Sequence, residues 1–277
     1  MSFDSLNPFL SLLTQVALEW IAGFRVDLTR YMVAAPMAWL VICVLLAPVL
    51  KGRKIRPDSP PWRQMINEFF CSVRSVAVFS TVTLATFAMQ TAGWLWAESF
   101  REAQGFAWVA VSFVITVLAH DAWFYWAHRA MHHPALFRVF HRRHHRSHNP
   151  TPFTAYSFDV GEAAVMALFS PLWVLLVPVS WPAFGLFMIH QIARNVLGHS
   201  GYELFPANRN GRPVFDWMTT VTHHDLHHAQ AGYNYGLYFT WWDRWMGTEH
   251  PDYHARFAAT VRRAATTAPI PEAMRLN

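Results

Sequence analysis

The chain has 277 residues and is 53% hydrophobic, 16% aromatic and only 14% charged, where an ordinary soluble domain carries about 25% charged residues. That shortfall, with a mean hydropathy of +0.15, excludes a typical soluble enzyme and points to a membrane protein. The net charge of +5 is scattered among loops, which argues against a nucleic-acid surface and for arginines beside anionic lipid headgroups, and the two separated cysteines, Cys43 and Cys71, argue against a disulfide framework or thiolate metal site.

Along the chain, MSFDSLNPFLSLL lacks a basic n-region and a small-residue cleavage site, so no signal peptide is expected. Phe9–Phe24 is apolar but interrupted by Gln15 and Glu19, which reads as an interfacial helix. Tyr31–Leu50 and Ser75–Ala97 are uncharged runs of twenty and twenty-three residues, long enough to cross the roughly 30 Å hydrocarbon layer. Between them Lys51, Arg53, Lys54, Arg56 and Arg63 mark a cytoplasmic loop by the positive-inside bias. The WAESFREAQG loop at 96–105 then faces the other side, and Ala103–Ala119 forms a third span ending at His120 and Asp121. Ala163–Ala193 is uncharged over thirty-one residues with Pro171, Pro178 and Pro182; it is too short for two full crossings of about twenty residues each plus a turn. A compact re-entrant hairpin turning near VPVSWP (177–182) is expected. It returns the chain to the side it left, assuming that the histidines before and after it build one site. His254–Asn277 reads as a peripheral tail.

The expected architecture is all-α: an integral membrane helical bundle of about four spans, the last two a short re-entrant hairpin, under a cytoplasmic histidine-rich helical cap. Residues 1–104 supply membrane helices and the interfacial segment, 105–250 the chemistry-bearing region and 251–277 the tail.

Fourteen of the sixteen histidines lie between residues 120 and 228. His128 and His132 are four apart, so both rings can face one ion from a helix. His141, His144 and His145 form an HxxHH pattern, which His224, His227 and His228 repeat, and His199 stands between. In each pattern the spacing predicts one helical face. One such histidine is usually an interfacial side chain; eight in these patterns are expected to bind metal, because unpaired imidazoles are costly to desolvate. The number exceeds what one ion holds, so two ions are implied, although spacing does not name the metal. Asp121, Glu162, Glu203 and Asp225 are available to hold the second ring nitrogens. His133, His148, His190, His250 and His254 are read as structural or surface residues.

HDAWFYWAHRAMHH, HRRHHRSHNPTPF, NVLGHSGYE and THHDLHHAQAGYNYGLYFTWWDRWMGT together resemble the fatty acid hydroxylase superfamily, in its sterol desaturase-like branch, over about residues 105–250. The resemblance implies O2-dependent attack on an unactivated C–H bond of a lipid at two iron ions, with zinc as the product of mis-metallation. By motif the ligands would be His128, His132, His141, His144, His145, His199, His224, His227 and His228. Glu203, four residues after His199, stands where related fatty acid 2-hydroxylases carry another histidine, and is expected as a tenth ligand or an outer partner. Two departures stand out: His120 replaces a common Glu, and Asp159 stands where several sterol-acting relatives have His-Pro.

No segment before residue 100 resembles a fused cytochrome, so a separate ferredoxin or cytochrome-type donor is expected. A prokaryotic inner membrane with the site on its cytoplasmic side is the expected location. Arg129, Arg142, Arg143 and Arg146 are expected to face lipid phosphate or that donor. Trp123, Phe124, Tyr125, Trp241, Trp242 and Trp245 are expected to anchor at the interface or pack, some lining a substrate tunnel. NPTPF is read as a rigid turn. Other readings stay open: a non-enzymatic metal-binding or transport protein, though transporters carry ionisable groups in mid-membrane; a zinc hydrolase, though HExxH is absent; and a bis-histidine haem protein, which would leave many histidines idle.

Overall fold

The structure, a computed structural model, describes residues 3–98, 100 and 105–267. Among these the backbone is helix and loop, with isolated bridges such as Lys54 with Tyr202. Residues 99 and 101–104 of the predicted 96–105 loop and residues 268–277 of the tail lie outside the described residues.

The first helix, α1 (Phe3–Ala38), runs without a break into a π-helical stretch at Trp39–Leu45. The separate interfacial helix expected at Phe9–Phe24 is therefore part of the first long helix. Gln15 and Glu19 do not end it because they face a groove shared with Ser80, Thr83 and Gln90 of the next helix, α2 (Trp62–Thr91). Helix α2 starts behind Pro61 and stops at Gly93, whose φ of 71° suits a left-handed cap; Trp94 N–H closes it on the Met89 carbonyl at 2.9 Å.

Helix α3 (Gly105–Met131) outruns the predicted third span by three turns. His120 and Asp121 lie inside it rather than at its end. Asp121 is tolerated there because its carboxylate accepts Tyr238 N–H at 2.9 Å and Trp241 Nε1–H at 3.0 Å. Pro8–Leu45, Trp62–Thr91 and Gly105–Met131 are each long and apolar enough to cross a membrane, and the protein is an all-α membrane helical bundle.

After α4 (Pro134–Phe140), Thr151 caps a 3-10 turn at Pro152–Tyr156. The predicted hairpin is α5 (Val160–Ala167), α6 (Phe169–Leu176) and α7 (Trp181–Gly198), turning at 177–180. Val160–Leu176 is seventeen residues, about 25 Å at 1.5 Å per residue, so it falls short of the roughly 30 Å apolar layer. A core of Tyr31, Ala35, Ile42, Val76, Ala155, Tyr156, Phe158 and Ile192 joins α1, α2, the 3-10 turn and α7. A second core, including Val117, Phe124, Phe169 and Phe187, joins α3 to the hairpin.

Helix α8 (Val221–Ala229) follows, capped by Thr220, whose side chain accepts His223 N–H at 3.2 Å. The tail expected to be peripheral begins as a helix, α9 (Tyr253–Thr267), and buries Tyr253, Phe257 and Val261 against Leu226 of α8. Its apolar residues recur at a helical spacing that alanines and arginines obscure. The basic loop is tied to the same region: Arg53 donates to the carbonyls of Glu203 (3.1 Å) and Phe205 (2.9 Å), and Arg56 pairs with Asp225 at 2.7 Å.

Candidate metal centre

Two sets of imidazoles, all buried except the half-buried His132, lie next to each other. His128, His132, His141, His145 and His227 form one; His144, His199, His224 and His228 form the other, and within each set the potential ligand atoms lie within 4.8 Å of one another. All nine histidines named from the motifs are thus brought together. Glu203 is in neither set. Its Oε1 accepts Phe205 N–H at 2.9 Å and its Oε2 accepts Thr222 N–H at 2.8 Å, so the carboxylate locks the loop after His199 to the start of α8.

Each HxxHH motif is divided between the sets. His141 and His145 enter the first and His144 the second; His227 enters the first and His224 and His228 the second. The expectation of a helical face holds on α8 and fails at the earlier motif. His141 caps α4, a turn follows, and His144–Arg146 is a 3-10 segment. The irregular backbone turns His144 and His145 away from each other, their ring centroids 6.0 Å apart.

The tautomers can be read from the outer nitrogens. Nδ1–H of His128 donates to the Tyr235 carbonyl at 2.8 Å, that of His227 to Tyr233 at 2.7 Å, and that of His199 to Asn195 at 2.7 Å. His141 Nδ1 lies 2.7 Å from Glu162 Oε1. An imidazole that donates through Nδ1 offers a bare lone pair at Nε2 when neutral. Those Nε2 atoms point at one another: His128 to His141 at 2.9 Å, His145 to His227 at 3.0 Å and His224 to His199 at 2.9 Å. Facing lone pairs repel unless a cation lies among them. Burial pushes His141, His144, His224, His227 and His228 well below the ordinary histidine range, and neighbouring rings push them further the same way. Burial likewise lowers His132, and takes His145 to about 3 and His199 to about 4. The rings stay neutral and basic toward a metal, so the donor set fits two first-row transition-metal ions such as iron or zinc.

Of the four carboxylates proposed as ring partners, only Glu162 reaches a ligand ring. Gly161 makes that approach feasible, since a Cβ there would meet the Phe140 ring at 2.8 Å. Sequence reasoning missed the three carbonyls, and also Asp243. Asp243 accepts Tyr235 N–H (2.8 Å), Gly236 N–H (2.9 Å) and the Thr248 hydroxyl (2.8 Å), and so shapes the loop whose carbonyls hold His128 and His227. Its signal was available: a carboxylate inside WWDRW is costly unless paired. The remaining histidines lie outside both sets; His133 accepts Ala135 N–H at 3.3 Å, and His254 lies 2.8 Å from Asp216. Arg143 contacts Asp159, while Arg142 and Arg146 are exposed. Tyr125 is fully buried and bonds Thr248 at 2.9 Å, whereas Trp245 is exposed.

An apolar cavity of about 480 Å³ lies above the histidines, between α1, α2, α3 and the hairpin. Phe124 and Phe158 line it, and their rings lie 5.0 Å from His128 and 5.4 Å from His144 by centroid. The cavity thus adjoins one ring of each set.

The family model described as Fatty acid hydroxylase matches residues 113–248, which contain both sets. A cholesterol 25-hydroxylase of Rattus norvegicus is 31% identical over 217 residues, covering 77% of this chain and 70% of the relative. The chain belongs to the fatty acid hydroxylase family. Its other relatives agree with the sterol desaturase-like branch of that family. A Delta(7)-sterol 5(6)-desaturase of Gibberella zeae is 26% identical over 67% of this chain and 56% of its own length. A lathosterol oxidase of Rattus norvegicus is 28% identical over 68% and 62%. This fatty acid hydroxylase family member therefore spans little more than half of the Gibberella protein. No solved structure matches it.

Proposed function

We propose that the protein is an O2-dependent oxidoreductase that hydroxylates or desaturates an unactivated C–H position of a membrane lipid, using two iron ions held by the nine histidines. The observation that carries this reading is the pair of facing Nε2 sets next to an apolar cavity. The relatives bear names of enzymes acting on cholesterol, Delta(7)-sterols and lathosterol, which favours a sterol-like lipid over a fatty-acyl chain.

His128, His132, His141, His145 and His227 would hold one ion, and His144, His199, His224 and His228 the other. Bound there, a pair of irons supplies the capacity to reduce O2 with external electrons and to take hydrogen from an unactivated C–H bond. The protein does the rest. The carbonyls of Tyr233, Tyr235 and Asn195 fix three rings, and the Glu162 carboxyl lies 2.7 Å from a fourth, so the ligands need little reorganisation on binding. Phe124 and Phe158 present substrate carbon to the site and keep bulk water from it. Alcohol and alkene products differ in where the second hydrogen of the substrate lies, which the cavity wall sets.

Electrons come from a separate ferredoxin or cytochrome-type carrier. His132 is the least buried ligand, with exposed Arg142 and Arg146 near it in the chain to meet an acidic donor. The site lies on the cytoplasmic side, because the basic loop at 51–56 is bonded directly to the segment that carries His199 and α8.

Elemental analysis of detergent-purified protein by ICP-MS tests this directly. Two irons per chain are expected, lost in a His144→Ala, His227→Ala double variant, with sterol oxidation dependent on O2 and reductant. Two zincs per chain call for removal and iron reconstitution before the assay. Folded protein that binds no metal would overturn the reading and favour a transport role.

A further inference from the structure

The apolar cavity carries one ion pair. Asp27 and Arg30 sit three residues apart on α1, contact each other, and both line the cavity wall. Their side chains are only 14% and 25% exposed. They lie between two apolar stretches of the same continuous helix, Phe9–Phe24 and Tyr31–Leu45, where an ionisable side chain is costly and commonly marks a ligand path. Gln191 of α7 lines the same cavity, with its Oε1 accepting the Tyr156 hydroxyl at 2.7 Å. The remaining wall is largely apolar, including Phe169, Trp181, Phe187 and Met188.

The chemistry of the pair selects among head groups. Its charges cancel, so it offers guanidinium donors beside carboxylate acceptors without a net field. A hydroxyl can accept from Arg30 and donate to Asp27 at once, which satisfies all three groups in a site with little water. A carboxylate or phosphate head would meet the like charge of Asp27 and would have to displace it from Arg30. A fully apolar lipid would cover the pair and leave its unused donors and acceptors unsatisfied. The cavity volume falls within the range of about 300–1,000 Å³ found for sites that take one small molecule.

We propose that Asp27 and Arg30, assisted by Gln191, recognise the hydroxyl of an otherwise apolar lipid alcohol, and so select an alcohol-headed substrate over a free fatty acid. The inference rests on the reading that this cavity holds the substrate. The hydroxyl is the handle by which the lipid is held, and the pair acts in specificity rather than in the chemical step.

The test is photo-labelling of the full-length detergent-purified protein with a diazirine–alkyne cholesterol analogue that keeps its free hydroxyl. Unlabelled cholesterol, cholestane (the same skeleton without the hydroxyl) and palmitate serve as competitors. Cholesterol is expected to compete at least tenfold better than cholestane, with palmitate weaker than cholesterol. In an Asp27→Leu, Arg30→Met variant the two sterols should compete within twofold of each other. Arg30→Lys, which keeps the charge and loses the guanidinium fork, should lower the cholesterol preference several-fold and serves if the double variant fails to fold. Equal competition by cholesterol and cholestane in the unaltered protein would overturn the proposal, as would strongest competition by palmitate. A cholesterol preference that survives both variants would also overturn it. Metal content measured on the same samples separates the two readings: hydroxyl discrimination in protein that cannot bind iron would sink the oxygenase reading and leave this one standing.

Discussion

Glu162 Oε1 lies 2.7 Å from His141 Nδ1, and both side chains are sealed from solvent. A carboxylate behind a ligand imidazole fixes the ring and strengthens its outward lone pair, and loss of such a partner typically lowers metal affinity about 10–100-fold. Glu162→Gln should therefore retain its helical circular dichroism while releasing metal to a chelator at a concentration lower by that factor. Metal retention equal to the unaltered protein would show that Glu162 is only a buried acid.

Asp243 holds the Tyr235 and Gly236 amides. Asp243→Ala leaves two buried N–H groups without acceptors, at about 1–3 kcal/mol each, and frees the carbonyls that orient His128 and His227. Both rings belong to the five-histidine set. The expected outcome is a lowered melting temperature and a metal content near one per chain, held by the four-histidine set. Gly236→Ala should act alike, because a Cβ there would stand 2.6 Å from the Phe239 carbonyl oxygen. Equal loss from both sets, read by metal analysis and spectroscopy, would contradict this.

Glu203 separates ligation from positioning. Its carboxylate accepts the buried Thr222 amide and the part-buried Phe205 amide, so Glu203→Gln should lose stability by about 1–3 kcal/mol and still bind two metals per chain at saturating metal. Stoichiometric loss of one metal in folded protein would restore Glu203 as a ligand.

Acid stability offers a check remote from the metals. Burial raises the Asp216 carboxyl, but His254 at 2.8 Å and Arg244 at 3.0 Å outweigh it and hold the group below the usual carboxylate value. A depressed folded value means that the unfolded chain binds the proton first, so this contribution is present above about pH 4 and is lost as pH falls below it. Asp216→Asn should flatten that limb of the unfolding profile. The effect is small, within about 1 kcal/mol for so exposed a cluster, and tryptophan fluorescence against denaturant at pH 3–6 would register it. An unchanged slope would remove Asp216 from the acid response.

The helical bundle was legible because uncharged runs of twenty residues have few alternatives, and the convergence of the nine histidines because they recur at close, repeated spacings. What escaped has physical causes. Tyr233, Tyr235 and Asn195 act through backbone carbonyls, and a carbonyl leaves no residue signature. Splitting of the motifs between two sets was hidden because spacing brings rings together without showing which neighbours each one meets: the α-helical stretch at 224–228 is divided as fully as the irregular one at His141–His145. The continuity of α1 was hidden by Gln15 and Glu19, whose polar neighbours lie on α2, remote in sequence. Asp121 ended the third span on paper, whereas its hydrogen-bond partners sit more than a hundred residues away.

The division of each HxxHH between both sets has a consequence for how such a protein can be altered. Neither set belongs to a transplantable stretch of chain, since 141–145 and 224–228 each supply both. No deletion or exchange of one motif removes one set and spares the other; it damages both at once. A variant that keeps one set intact can be reached only ring by ring, and the paired arrangement resides in the stagger within each five-residue motif rather than in the duplication of a simpler module.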